Sequence, residues 1–212
     1  MDYSLYLFDF DYTLANSEKG IVMCFQHVFK TNGVTGISDE RIKRTIGLTL
    51  EQAFMELAGV EDQDTLKRYR KEYVEKADQV MVENTKIYKG VIPTLQQLKA
   101  RGASIGIIST KYRYRIEESI SIYKMEPLVD IIIGGSDVED AKPSPEGIEK
   151  AITYFDVKKE QILYVGDSIV DAKTAYNASV DFAAVTTGTT REEDFMVLPH
   201  VKIMKNIEEI TS

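Results

Sequence analysis

The sequence predicts an α/β protein: a parallel sheet covered by helices on both faces, interrupted near its start by an all-helical insertion. Three observations carry that reading. A short apolar run at Leu5–Phe8 reads as a buried strand and ends at once in Asp9 and Asp11. From about residue 88 onward, short apolar stretches alternate with helical ones, which implies right-handed crossovers and a parallel sheet. Between these regions, residues 15 to about 86 show helical periodicity and no strand.

The first strand carries Tyr6 and Phe8 among its apolar residues. In the insertion, Ile21, Phe25, Val28 and Phe29 recur at helical spacing, and Thr49-Leu50-Glu51-Gln52 fits a capping box. Leu66, Tyr69, Tyr73, Ala77, Val80 and Met81 mark a longer helix. Four helices are expected over residues 15–86, joined to a core of residues 1–14 and 87–212 by linkers near Ala15–Asn16 and Lys86–Gly90. The core strands are expected at 104–108, 131–133, 162–165 and 181–185. Helices are expected near 94–100, 113–123, 145–154 and 169–178. Ligands of such sheets sit at the carboxyl ends of the strands. Asp9, Ser109 and Asp167 each stand at such an end and can converge although far apart in sequence.

Composition narrows the function. The chain has 212 residues, enough for a full core, and 34 acids against 26 bases give a formal charge of −8. That charge argues against a nucleic-acid binder, because phosphate contacts along a duplex need a basic face. A small phosphate can still bind where a metal and lysines set the local charge. The one cysteine, Cys24, excludes an intramolecular disulfide, and its neighbours Ile21, Phe25 and Val28 suggest a buried structural thiol. The opening Met-Asp-Tyr-Ser has no basic or long apolar stretch, so neither secretion nor a membrane span is indicated. The expectation is a cytoplasmic protein, monomer or weak dimer.

Two carboxylates one residue apart at the end of a central strand repel each other and are costly to bury without a compensating cation. Chemistry supplies a reason: Asp9 as nucleophile, Asp11 as proton donor and acceptor, and a divalent metal to hold the pair. Alone, that spacing also suits a solvated turn. Three further pieces follow in order. Residues 103–111, Ala-Ser-Ile-Gly-Ile-Ile-Ser-Thr-Lys, form a strand ending in hydroxyls. Residues 141–145 read Ala-Lys-Pro-Ser-Pro, and 162–171 read Ile-Leu-Tyr-Val-Gly-Asp-Ser-Ile-Val-Asp, a strand ending in acids. The set resembles the haloacid dehalogenase-like hydrolase superfamily, and within it the phosphoglycolate phosphatase and β-phosphoglucomutase-like branch, over nearly the whole chain.

The resemblance implies a Rossmann-like parallel core with a helical cap that gates the substrate, and a role for each motif residue. Asp9 attacks phosphorus and becomes an aspartyl phosphate. Asp11 protonates the leaving oxygen, then deprotonates the hydrolytic water, while its backbone carbonyl binds metal. Thr13, at the substrate side of the loop, ties that loop down by hydrogen bonding. Ser109 donates to the transferring phosphoryl group. Thr110 and Lys111 follow as substrate-binding residues, with Thr110 also suited to cap the next helix. Lys142 neutralises charge on the nucleophile and the phosphoryl oxygens; beside it, Ser144 suits an N-cap and Pro145 a first helical position. Asp167 is a direct metal ligand, and Asp171, one turn on, reaches the metal through water; Ser168-x-x-Asp171 also reads as a capping box. With Asp9 and Asp11 these oxygen ligands specify Mg²⁺. His27 and His200 match no motif position and read as structural or surface residues.

The implied activity is a Mg²⁺-dependent phosphatase for a small phosphorylated metabolite, a phosphoglycolate-like monoester or pyrophosphate. A phosphomutase uses the same four motifs and differs in its cap and in excluding water. A dehalogenase is disfavoured by the carboxylate of Asp11, and a non-catalytic module by the presence of every motif carboxylate. Ile46-Gly47-Leu48-Thr49 reads as the cap loop that closes over the site. The chain departs from the family pattern at Tyr12 and Ser179, where glycine is usual, and at Asn16, where aspartate is common.

Overall fold

In the computed structural model, which describes residues 3–211, the chain divides into two units: residues up to Ala15 together with those from Ile87 onward, and the intervening Asn16–Lys86. In chain order the first unit contributes β1 (Leu5–Phe8), and β2 (Ala15–Asn16) leads into the second unit. There α1 (Glu18–Thr31), α2 (Asp39–Lys43), α3 (Leu50–Ala58) and α4 (Gln63–Val80) follow one another. Strand β3 (Lys86–Ile87), paired with β2, leads back to α5 (Val91–Ala100) and β4 (Ser104–Ile108). Then come α6 (Arg113–Ile122), β5 (Ile131–Ile133), α7 (Glu146–Phe155), β6 (Ile162–Gly166) and α8 (Ile169–Ala178). The chain finishes with β7 (Asp181–Val185), α9 (Glu192–Phe195) and β8 (Lys202–Met204).

The sheet has six strands in the order β5-β4-β1-β6-β7-β8, and every pairing in it is parallel. Strand β1 lies between β4 and β6, with Leu5 opposite both Ser104 and Ile162. The chain winds to one side of β1 through β4 and β5, and to the other through β6, β7 and β8. The end of β1 is therefore the point where the winding reverses, the place where such sheets open a crevice.

Side chains alternate across a strand, so β1 feeds two apolar layers. Tyr6 and Phe8 pack with Leu95, Leu98, Ile116 and Ile120 of α5 and α6. Leu5 and Leu7 pack on the other face with Ile148, Ala151, Ala172 and Ala175 of α7 and α8. Burial on both faces explains why β1 reads as an unbroken apolar run rather than an alternating one.

The Asn16–Lys86 unit has its own core, built on Cys24, Phe25, Phe29, Phe54, Tyr69 and Tyr73. Several of its rings meet edge to face, as Phe25 and Tyr73 do at 5.0 Å between centroids. The α3 capping box is fully formed: Gln52 N donates to Thr49 Oγ1 at 3.2 Å and Thr49 N to Gln52 Oε1 at 3.1 Å. Asn16, which had no role in the sequence, accepts from Glu18 N at 3.1 Å and so orders the entry to α1.

Several boundaries differ from expectation. Helix α5 begins at Val91, three residues before Thr94, because Gly90 at φ 91° turns the chain into it. Helix α7 begins at Glu146, so Pro145 is its N-cap; Ser144 Oγ still accepts from Glu146 N at 3.3 Å. Strand β8 and helix α9 were not expected at all. Among the described residues no helix is long and apolar enough to cross a membrane.

Candidate active site

The site is assembled from four chain segments that leave the sheet at its carboxyl edge. Asp9 follows β1, Ser109 follows β4, Asp167 follows β6, and Lys142 comes from the loop before α7. Asp9 N donates to Val165 O at 2.9 Å and Ser109 N to Ile133 O at 3.0 Å, so each residue is anchored by one last ladder bond of its neighbouring strand.

Asp9, Asp167 and Asp171 are all buried, and each offers a carboxylate oxygen within 4.8 Å of the others. Lys142 lies among them, donating to Asp171 Oδ1 at 2.6 Å and Asp9 Oδ1 at 2.8 Å. Asp9 Oδ2 takes no hydrogen bond among the described residues. One ammonium against three buried carboxylates leaves negative charge in excess. Burial, opposed by Lys142 and seconded by Asp171, pushes the Asp9 carboxyl up to about 7. Burial, with Asp171 and Asp9 adding, holds Asp167 well above the usual carboxylate range. Burial alone would lower the Lys142 ammonium, but the charges of Asp171 and Asp9 outweigh it and raise it well above its ordinary value.

The carboxylate of Asp171 is filled. Oδ1 accepts from Lys142 and from Tyr164 Oη at 2.9 Å, and Oδ2 accepts from Ser168 N at 3.1 Å and Ser168 Oγ at 2.6 Å. Ser168 Oγ in turn accepts from Asp171 N, which completes the capping box of α8. Asp167 keeps more capacity: its Oδ1 accepts from Thr13 Oγ1 at 3.3 Å. Thr13 thus ties the β1 loop to the acid after β6. The donor set is all oxygen, buried and overcharged, which fits a small hard cation.

Asp11 faces a different partner. Lys111 Nζ donates to both of its oxygens, at 2.9 and 3.0 Å, and the ammonium lies 5.8 Å from the Phe10 ring centroid. Thr110 does not cap the next helix. Helix α6 starts at Arg113 behind Tyr112 with no side-chain cap bond, because the loop 109–112 turns before the helix begins. Ser109 Oγ instead accepts from Lys111 N at 3.3 Å. Ser109 and Thr110 line a small recess with Gly134, Gly135, Lys142 and Ser144, with room for about one water. His27 and His200 are exposed.

Sequence reasoning passed over Tyr164, Thr187 and Gly188. Tyr164 is a buried aromatic of β6, yet its hydroxyl meets Lys142, Asp171 and Ile108 O. Thr187 Oγ1 donates to Tyr12 O and so holds the β1 loop from the far side. A Cβ on Gly188 would lie 1.9 Å from Asp167 Oδ2, so only glycine lets this loop approach the carboxylate. Nothing in Thr186-Thr187-Gly188-Thr189 signals either contact.

The family model for haloacid dehalogenase-like hydrolases matches residues 6–185. The protein named pyrophosphatase PpaX of Bacillus cereus (strain B4264) is 32% identical over 180 residues, covering 85% of this chain and 82% of that one. A crystal structure from Bacteroides fragilis, assigned to the haloacid dehalogenase-like hydrolases, matches at 47% identity with a TM-score of 0.97, over 99% of this chain and 100% of that one. A structure from Lactobacillus plantarum, assigned as a phosphoglycolate phosphatase, matches at 24% identity with a TM-score of 0.89 over 100% and 99% of the two chains. At that identity it shows likeness of fold alone.

Proposed function

Because the chain belongs to the haloacid dehalogenase-like hydrolase family, we propose that it is a Mg²⁺-dependent phosphatase for a small phosphorylated metabolite, working through an aspartyl phosphate on Asp9. The observation that supports this most is the state of Asp9: buried after the central strand, held by Lys142 through one oxygen, with the other oxygen unengaged. A carboxylate fixed in this way is oriented for attack rather than for a structural ion pair.

In the first step Asp9 Oδ2 attacks phosphorus and the bond to the leaving oxygen breaks, with Asp11 giving that oxygen its proton. In the second, Asp11 takes a proton from water, whose oxygen attacks phosphorus, releasing phosphate and restoring Asp9. Ser109 donates to a phosphoryl oxygen, while the Lys142 ammonium, held on Asp9, offsets charge on the nucleophile and the transferring group. Lys111 is bound to Asp11 before substrate arrives, and an incoming phosphoryl oxygen competes for it. We read Asp9, Asp167 and the Asp11 backbone as the residues that would hold Mg²⁺. Asp171, with both oxygens filled, reaches it only through water. When bound, the ion offsets the excess negative charge and polarises the phosphoryl group.

Inorganic pyrophosphate is our first substrate candidate, since a relative 32% identical over 180 residues is named a pyrophosphatase. We read the Asn16–Lys86 unit as the substrate-gating cap, with Ile46–Thr49 as its closing loop. The single buried Cys24 accords with a reducing, cytoplasmic setting. Phosphate release from pyrophosphate and a panel of phosphate esters, with Mg²⁺ and with chelator, tests the reading. Turnover that needs Mg²⁺ and vanishes in Asp9→Asn supports it; no release from any of them overturns it.

A further inference from the structure

We propose that Tyr164 is a positioning residue for phosphoryl transfer, its phenol oxygen serving as the third support that keeps the Lys142 ammonium on Asp9. The proposal rests on the reading of Asp9 as nucleophile.

An ammonium has three N–H donors. Those of Lys142 meet Asp171 Oδ1 at 2.6 Å, Asp9 Oδ1 at 2.8 Å and Tyr164 Oη at 3.1 Å. Three donors meet three acceptors, so the head of a flexible four-carbon side chain is fixed in position and in rotation. Two of the acceptors are carboxylates that the chemistry also engages; the phenol is the neutral one and stands outside the reaction.

Tyr164 is itself immobile. It lies in β6, wholly buried, with its ring 6.4 Å from that of Phe182. Its single proton faces Asp171 Oδ1 at 2.9 Å and Ile108 O at 3.2 Å. A phenol can give one hydrogen bond and accept others, so it receives from Lys142 while giving to one of the two oxygens. Through that one atom β4, β6, α8 and the lysine loop are tied together. Packing does not require the hydroxyl, since phenylalanine would fill the same space, and burying an unbonded hydroxyl is costly. Its bonds go to the lysine, to the carboxylate that shares the lysine, and to one strand-end carbonyl.

The test is Tyr164→Phe, assayed on an aryl phosphate with Mg²⁺ while beryllium fluoride binding counts competent sites. The expected result is kcat per competent site lower by about tenfold, the value of one hydrogen bond to a charged group, with KM within about twofold of the parent. A merely structural hydroxyl would reduce the number of sites and leave turnover per site unchanged, and that result overturns the proposal. So does a rise in KM equal to the fall in kcat. If Tyr164→Phe does not fold, 3-fluorotyrosine at position 164 keeps the shape and weakens the acceptor, with about a two- to threefold drop in kcat expected and none overturning the role. A parent inactive on every ester overturns the phosphatase reading and this one together. An active parent with unchanged Tyr164→Phe overturns the role of Tyr164 alone.

Discussion

Asp9 is buried, which favours its protonated form, while the proposed mechanism needs it as a charged nucleophile. Its carboxyl, pushed up to about 7 by burial, holds a proton more tightly folded than unfolded. That difference favours the folded state at low pH, and the contribution fades as pH rises from about 4 to about 7. Asp9→Asn should therefore lose turnover by several orders of magnitude while unfolding at a higher temperature than the parent in chelator. The gap in melting temperature should widen between pH 5 and pH 7.5, and an equal gap at both would refute the assignment. Asp11→Asn should still allow Asp9 to be phosphorylated by an ester with a good leaving group, then stall, because the water loses its base. Stopped-flow on an aryl phosphate should show a burst followed by slow turnover; equal loss in both phases would make Asp11 structural. Lys111→Met removes a cation that pairs with Asp11 at 2.9 Å and is claimed by substrate in the proposed mechanism. Steady-state kinetics should show KM rising by about tenfold, more than kcat falls.

At the scale of elements, α8 shows how a site is fastened at one end and left strained at the other. Its first turn is bound by the reciprocal Ser168–Asp171 cap. Its last residue hands over to Ser179 at φ 59°, in the left-handed region where a side chain crowds the backbone. Ser179→Gly should stabilise the protein by about 0.5–1 kcal/mol, after allowing for the freer unfolded glycine, read as a small rise in melting temperature with unchanged kcat. Tyr12, the other departure from family glycine, sits at φ 63°, but its ring is buried, so glycine there would lose packing. The backbone reason for both glycines was not legible in one sequence, because φ is not written in residue types. The strands were legible: β1, β4, β6 and β7 are apolar runs bounded by polar turns. Strand β8 was not, since Lys202-Ile203-Met204 is too short to show a period and is defined by its neighbour β7. Asp9 and Asp11 announced themselves by spacing, and Lys142, Asp167 and Asp171 through the resemblance of their motifs. Tyr164 and Thr187 did not, because their value lies in contacts with residues distant in the chain. Thr110 was misread because a hydroxyl before a helix looks like a cap whether or not the helix starts there.

For the whole molecule, excess buried negative charge would make the proposed metal and the transferring group interdependent. An oxyanion adds charge that Mg²⁺, Lys142 and Lys111 must offset, so each ligand should tighten the other. Melting curves with Mg²⁺, with beryllium fluoride and with both should show a joint shift larger than the sum of the two; simple additivity would mean separate sites. The hydrogen bond from Tyr88 N to Leu14 O, 3.0 Å long, has a consequence of another kind. It fastens the two ends between which everything from Asn16 to Lys86 is inserted. To the sheet, that whole insertion is one closed polymer loop, whose closure entropy grows only with the logarithm of its length, about 0.6 kcal/mol per doubling. Lengthening, shortening or exchanging the insertion therefore costs the sheet little. The strands can hold their geometry while the sequence between those two residues changes.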